Sequence, residues 1–160
     1  MKKLLVCVLL SAFASSAFAL DPTQLDPILM AGTVAFGRNT SKATLYCQQM
    51  ASYRPSYILS GTLVMQLWAS RTNNPAGPQL SDFKMCEARV GNLQGHDYFS
   101  NVKRTATFLA PPAGTYFIIF ALSEWNGFAY VPVDWHTFTK TQTFSNSQRY
   151  QWAGERIPGT

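Results

Sequence analysis

The apolar positions of residues 115–122 (TYFIIFAL) fall on both faces of an extended chain: Tyr116, Ile118, Phe120 and Leu122 on one, Phe117, Ile119 and Ala121 on the other. A strand with this pattern is buried on both sides and belongs at the centre of a sheet. It runs into a Gly-containing turn, a second strand and a Thr-alternating third, so residues 114–144 read as a β-meander.

The same period of two recurs upstream. Residues 30–36 and 43–49 read as short strands around the turn formers of residues 37–41 (GRNTS). Asn39-Thr40-Ser41 also matches a glycosylation acceptor, but the short N-terminal signal has a bacterial look, and the triplet is read as a turn. After the break at Arg54-Pro55-Ser56, residues 57–69 form a long strand candidate. Leu63, Met65 and Leu67 alternate there with Thr62, Val64, Gln66 and Trp68, a half-buried pattern whose outward Trp68 is the one expensive exception. Residues 71–81, with Asn73-Asn74-Pro75 and Gly77-Pro78, are a loop, long for a connection between strands. Residues 83–90 and 102–109 are the next strands, and Pro111-Pro112-Ala113-Gly114 reverses the chain into the central one. Residues 123–128 are left unassigned. The tail from Ser145, with Tyr150, Trp152 and Pro158, shows no strand or helix period and either packs across a sheet or hangs free.

About eight strands, each ended by Gly, Pro or Asn, with no helical period of useful length, predict an all-β fold. The specific expectation is an antiparallel, immunoglobulin-like β-sandwich spanning residues 30–144, with a β-barrel as the alternative. The missing crossover helices exclude a parallel α/β sheet.

Targeting sets the context. Lys2 and Lys3, an apolar run over residues 4–13 and Ala17-Phe18-Ala19 make residues 1–19 a cleavable signal peptide. The apolar run is broken by serines and falls short of the roughly 20 residues that cross a bilayer, so no stable membrane anchor is expected, and Cys7 lies inside the run, away from a lipidation site. The expectation is therefore an exported protein, periplasmic or secreted. Cleavage leaves 141 of 160 residues, enough for one domain, preceded over residues 20–29 by an extended lead-in holding Pro22 and Pro27, and followed by the tail over residues 145–160. The formal charge falls from +5 to +3, and the basic residues are dispersed, so they read as a solvated surface and nucleic acid is not implied. Cys47 and Cys86 share strand phase with apolar neighbours, and in an oxidising destination they are expected to form a disulfide. Closing that loop of about 40 residues is worth roughly 4 kcal/mol in the chain-entropy model. Two buried free thiols are the alternative; a metal pair would need ligands that the sequence does not supply at a recognisable spacing.

Four segments carry a resemblance: GTLVMQLWA (61–69), YFSNVKRTATF (98–108), PPAGTYFIIFALSEW (111–125) and VDWHTF (133–138). Together they resemble a β domain of secreted bacterial proteins whose pattern is roughly GTLRLELWA, FSNV, PPAGTY and a late DW or DY. The resemblance covers about half of the mature chain and implies an exported β domain with no activity to carry over. This chain departs from the pattern in adding Cys47 and Cys86 and in standing alone instead of beside a catalytic domain.

Among candidate sites the aromatics stand out. Trp125, Phe128, Tyr130 and Trp135 crowd one hairpin, and Trp68 adds an outward ring on another strand. Flat rings stack on sugars or on apolar partner groups, so Trp68, Trp125, Tyr130 and Trp135 form the candidate binding surface; the competing reading is that they fill the core. Phe117, Ile119 and Ala121 make the second face of the central strand apolar, and something must cover it: the tail around Tyr150 and Trp152, a second copy of the chain, or a ligand. His136, near Asp134, and His96, beside Asp97, show no HxH or HExxH spacing, and they read as surface hydrogen-bonding groups without metal. No GxSxG elbow occurs. Glu124 and Asp134 are the one carboxylate pair a glycosidase could use. The sequence thus points to an exported, non-catalytic protein without cofactor, binding a glycan or protein at the envelope or outside the cell. The alternative is a small carbohydrate-active hydrolase or lyase.

Overall fold

The computed structural model describes residues 27–145 and 151–157, and among them there are nine strands and no helix. The expected signal peptide and residues 20–26 of the lead-in lie outside the described residues, as do Tyr150, Pro158 and the side chain of Trp152. The strands are β1 (Ile28–Arg38), β2 (Lys42–Ser52), β3 (Leu63–Ser70), β4 (Phe83–Gly91), β5 (Tyr98–Thr107), β6 (Gly114–Trp125), β7 (Tyr130–Thr137), β8 (Gln142–Phe144) and β9 (Gln151–Arg156). They form two antiparallel sheets packed as a β-sandwich, ordered β5-β2-β1-β9 and β4-β3-β6-β7, with β8 pairing the start of β6.

Local chemistry accounts for most of the hairpins. Asn39 Oδ1 accepts from the N–H groups of Ser41 (2.9 Å) and Lys42 (2.7 Å), which makes the β1–β2 connection a side-chain-stabilised turn. Asn126 Oδ1 does the same for Phe128 and Ala129 at the β6–β7 turn, both at 2.9 Å. The central position of β6 follows from its sequence: it lies between β3 and β7, and its residues 118–124 are all buried.

Several elements differ from the sequence reading, among them β5, which starts at Tyr98, four residues before the expected start at 102. β3 starts at Leu63, because residues 57–62 leave the ladder: Ile58 N–H closes a turn on Pro55 O (2.9 Å), Leu59 makes an isolated bridge to Gln94, and Ser60 N–H donates to Leu93 O (2.9 Å). β6 runs on to Trp125, three residues into the stretch left unassigned. The tail supplies β9, whose ladder with β1 pairs Thr33 with Arg156 and Arg38 with Gln151.

The core lies between the sheets. Phe36, Leu45 and Met50 of the first sheet meet Leu63, Met65, Leu67, Ile118, Phe120 and Leu122 of the second, all without exposed surface. Each such side chain contributes about 1.5–3 kcal/mol by leaving water. Both seams are closed by polar contacts, which protects the sheet edges. At one, Leu109 N–H donates to Met85 O (2.8 Å) and Arg104 Nε to Arg89 O (3.3 Å). At the other, Met30 N–H donates to Asp134 Oδ2 (2.6 Å), and Glu155 of β9 accepts from Thr139 N–H (3.0 Å) and Thr139 Oγ1 (2.7 Å).

Candidate functional site

Directly opposed residues of antiparallel strands share a face. The register pairs Trp68 with Ile119, Ala121 with Trp135 and Trp125 with Tyr130, and residues 119, 121 and 125 of β6 share one phase. Trp68, Trp125, Tyr130 and Trp135 therefore all lie on the outer face of the second sheet. Trp125 is 41% and Trp135 36% exposed, whereas Trp68 and Tyr130 are half-buried.

The four rings do not form one cluster. Trp125 and Tyr130 pack edge to face, with centroids 5.2 Å apart and planes at 60°. Trp68 is anchored further along: its Nε1–H donates to Gln66 Oε1 (3.1 Å), and Lys84 Nζ lies 5.7 Å from its ring. Gln66 in turn accepts from Ser123 Oγ (2.8 Å) and donates to Glu87 (2.8 Å), so the outward tryptophan rests on a satisfied polar network. Trp135 Nε1–H donates to Pro75 O (3.1 Å), and Gly77 lies against the indole so closely that a Cβ there would stand 2.6 Å from Trp135 Cδ2. The φ of Gly77 is +82°, a conformation that also calls for glycine.

This contact identifies what covers the second face of β6. Ile119 and Ala121 have no exposed surface, and Val64 and Gln66 are 2% exposed. The cover includes the β3–β4 loop over residues 71–82, folded back onto Trp135, together with Trp68 and Trp135 themselves. The tail, one of the covers expected from the sequence, instead joins the other sheet as β9.

Glu124 lies on the opposite face, in register with Leu63, and is buried. Arg54 meets it in a two-pronged ion pair, Nη1–Oε1 and Nη2–Oε2 both 2.6 Å, and Gly61 N–H donates to the same carboxylate at 2.7 Å. Arg54 is 3% exposed, which corrects its reading as part of a solvated basic surface. Arg38, also 3% exposed, stands under the same correction: its guanidinium lies 4.6 Å from the Phe144 ring centroid and 5.2 Å from that of Phe108, and burial lowers its pKa. Asp134 accepts from Met30 N–H and from Trp135 N–H (2.8 Å); burial pushes its pKa up, with these bonds opposing. His136 Nε2 lies 3.2 Å from Glu155 Oε2, and its ring packs edge to face on Phe138. Burial pushes the Glu155 carboxyl up, but the bonds from Thr139 and His136 outweigh it and hold the group below the usual range.

The disulfide expected between Cys47 and Cys86 is not formed in this structure: both are free, buried thiols. Cys47 sits on an interior strand of one sheet and donates to Gln49 O (3.0 Å), whereas Cys86 sits on an edge strand of the other. A bulge lets Cys86 and its neighbour Met85 both turn inward: Leu67 pairs with Cys86 and Trp68 with Lys84, leaving Met85 as the extra residue. Burial raises both thiols to about 12.

Among the described residues no three His, Cys, Asp or Glu side chains gather as metal ligands do. A cleft between residues 138–142 and β9, lined by Phe138, Lys140, Gln142, Ala153, Glu155 and Arg156, contains none of the four aromatics. The sequence reading missed the Arg54 partner of Glu124, for which it carries no local signal. It also missed the exposed rings of Tyr53, Tyr57 and Tyr98, of which Tyr57 was placed in a strand. Comparison with protein-family models, curated proteins and solved structures finds no match.

Proposed function

We propose that this chain is an exported, non-catalytic β-sandwich that binds a ligand or partner, a glycan or a protein, at the cell envelope or outside the cell. The contact surface is the outer face of the second sheet, with Trp68, Trp125, Tyr130 and Trp135. The observation that carries this reading is the exposed ring surface of Trp125 and Trp135 on one face of the β6–β7 hairpin, flanking the half-buried Tyr130. Folding leaves these rings in water at a free-energy disadvantage, which contact with an apolar or sugar surface would relieve. The signal-like N-terminus and the resemblance to a secreted β domain support export. The two carboxylates that a hydrolase would use are each committed to structural bonds, Glu124 to Arg54 and Gly61, Asp134 to Met30 and Trp135.

A panel of polysaccharides and envelope extracts tests the proposal. Retention without product formation, lost in Trp125→Ala/Tyr130→Ala, is the expected result. Turnover of any polysaccharide, abolished by Asp134→Asn, would replace it with the hydrolase reading.

A further inference from the structure

Eleven large apolar side chains stand exposed among the described residues, and all but Leu80, Leu109 and Trp135 gather at one end of the sandwich. At this end β1, β3, β5 and β7 begin and β2, β4 and β6 finish, as the pairings Ile28–Ser52, Ala51–Tyr98, Leu63–Gly91 and Trp125–Tyr130 show. Its surface is made by residues 53–62, 92–97 and 126–129 with the adjoining strand ends. The most prominent rings are Phe128, 90% exposed at the tip of the β6–β7 turn, and Tyr57, 83% exposed at the tip of the turn closed by Pro55 O. Tyr53, Leu59 and Tyr98, each 58–62% exposed, lie between strand ends around them.

Charge is sparse here among the described residues. The three connecting segments hold Arg54, which Glu124 neutralises beneath the surface, and the adjacent His96 and Asp97. The exposed lysines and arginines lie on the strands and at the far end, where β2 starts and β3 stops. The segments are stiff: Gly95 N–H donates to Ile58 O (2.8 Å), Ser60 N–H to Leu93 O (2.9 Å), and Asn126 ties the hairpin turn. The rings are therefore held outward by design of the backbone and do not collapse onto each other.

We propose that this end docks on a lipid bilayer, with Phe128 and Tyr57 entering the interfacial layer. Tyrosine, tryptophan and phenylalanine concentrate at membrane interfaces because their bodies are apolar and their tips tolerate water. A sugar chain would need coplanar rings to stack on, whereas Trp125 and Tyr130 meet at 60° and the two tip rings stand on separate turns. A bilayer imposes no such mutual orientation, and a rim whose connecting segments expose a single carboxylate, Asp97, enters it with little desolvation of ions. The docking end extends the envelope reading above and shares only Trp125 and Tyr130 with the ligand face, so Tyr57 and Phe128 test it separately.

The test compares the full-length protein with a Tyr57→Ser/Phe128→Ser variant by sedimentation with phosphatidylcholine vesicles at low and high salt. The wild type should pellet with vesicles equally at both, and the variant should partition about tenfold more weakly or worse while melting at the same temperature. Both proteins carry the same N-terminus, so equal pelleting would assign the binding to residues 4–13 and overturn the proposal. Wild-type protein left in the supernatant, or binding abolished by salt, would overturn it as well. So would a wild-type dimer broken by the two substitutions, or polysaccharide retention lost with them in the absence of vesicle binding; these would reassign the end to a second copy or a glycan.

Discussion

The Arg54–Glu124 pair joins residues 70 positions apart and fastens the segment 53–62 to the end of β6. Removing one member of a buried pair leaves the other as an uncompensated charge, at about 3–5 kcal/mol. In Glu124→Ala the Gly61 N–H also loses its acceptor, which adds about 1 kcal/mol. Glu124→Ala should therefore lower the unfolding free energy by about 4–6 kcal/mol, a large part of the roughly 5–15 kcal/mol of a typical domain. Arg54→Leu should lose a similar amount, because it buries an unpaired carboxylate. The double variant Arg54→Leu/Glu124→Leu buries no charge and should recover most of the loss, keeping only the Gly61 deficit. Urea unfolding followed by far-UV circular dichroism reads all four proteins, with an unchanged slope required for the comparison. If either single variant lies within about 1 kcal/mol of wild type, or if the double variant equals the sum of the singles, the pair is not coupled and the reasoning fails.

Three further outcomes follow from the same geometry. Cys47 and Cys86, protonated and buried with pKa values of about 12, should resist alkylation at pH 8 in the folded protein, and both should react in denaturant without a reductant; fewer than two labels would reveal a bridge. Gly77→Ala forces a left-handed φ on a residue with a side chain and drives its Cβ into Trp135, so it should cost about 1–3 kcal/mol and red-shift tryptophan fluorescence as the loop lifts; an unchanged spectrum and stability would deny that the loop rests on Trp135. Glu155 has a folded-state pKa held below its ordinary value, so its contribution is present above the unfolded pKa and lost as pH falls through the folded one. Glu155→Gln should therefore narrow the stability gap between neutral and acid pH, and an identical gap in both proteins would dismiss the contacts with Thr139 and His136.

What the sequence by itself determined was the class of the fold and the phase of its central strands. Alternation is a local property: Tyr116, Ile118, Phe120 and Leu122 must share a side of β6 whatever surrounds it, and Leu63, Met65 and Leu67 must share a side of β3. Turn chemistry is equally local, as Asn39 and Asn126 show by bonding the backbone two and three residues ahead. The same phase rule put Trp68, Trp125, Tyr130 and Trp135 on a common face once the register was known. Tertiary structure decided everything that joins distant segments. Periodicity says that Ile119 and Ala121 face an apolar environment, but not that a loop 40 residues earlier returns to supply part of it against Trp135. Arg54 and Arg38 look like any dispersed surface cations until Glu124 and the rings of Phe108 and Phe144 arrive beside them. Two inward thiols suggested a bridge, yet inward phase carries no distance, and Cys47 and Cys86 stay free on strands of different sheets. The tail lacks an apolar alternation because β9 is an edge strand, held to β1 by backbone hydrogen bonds that any side chains permit.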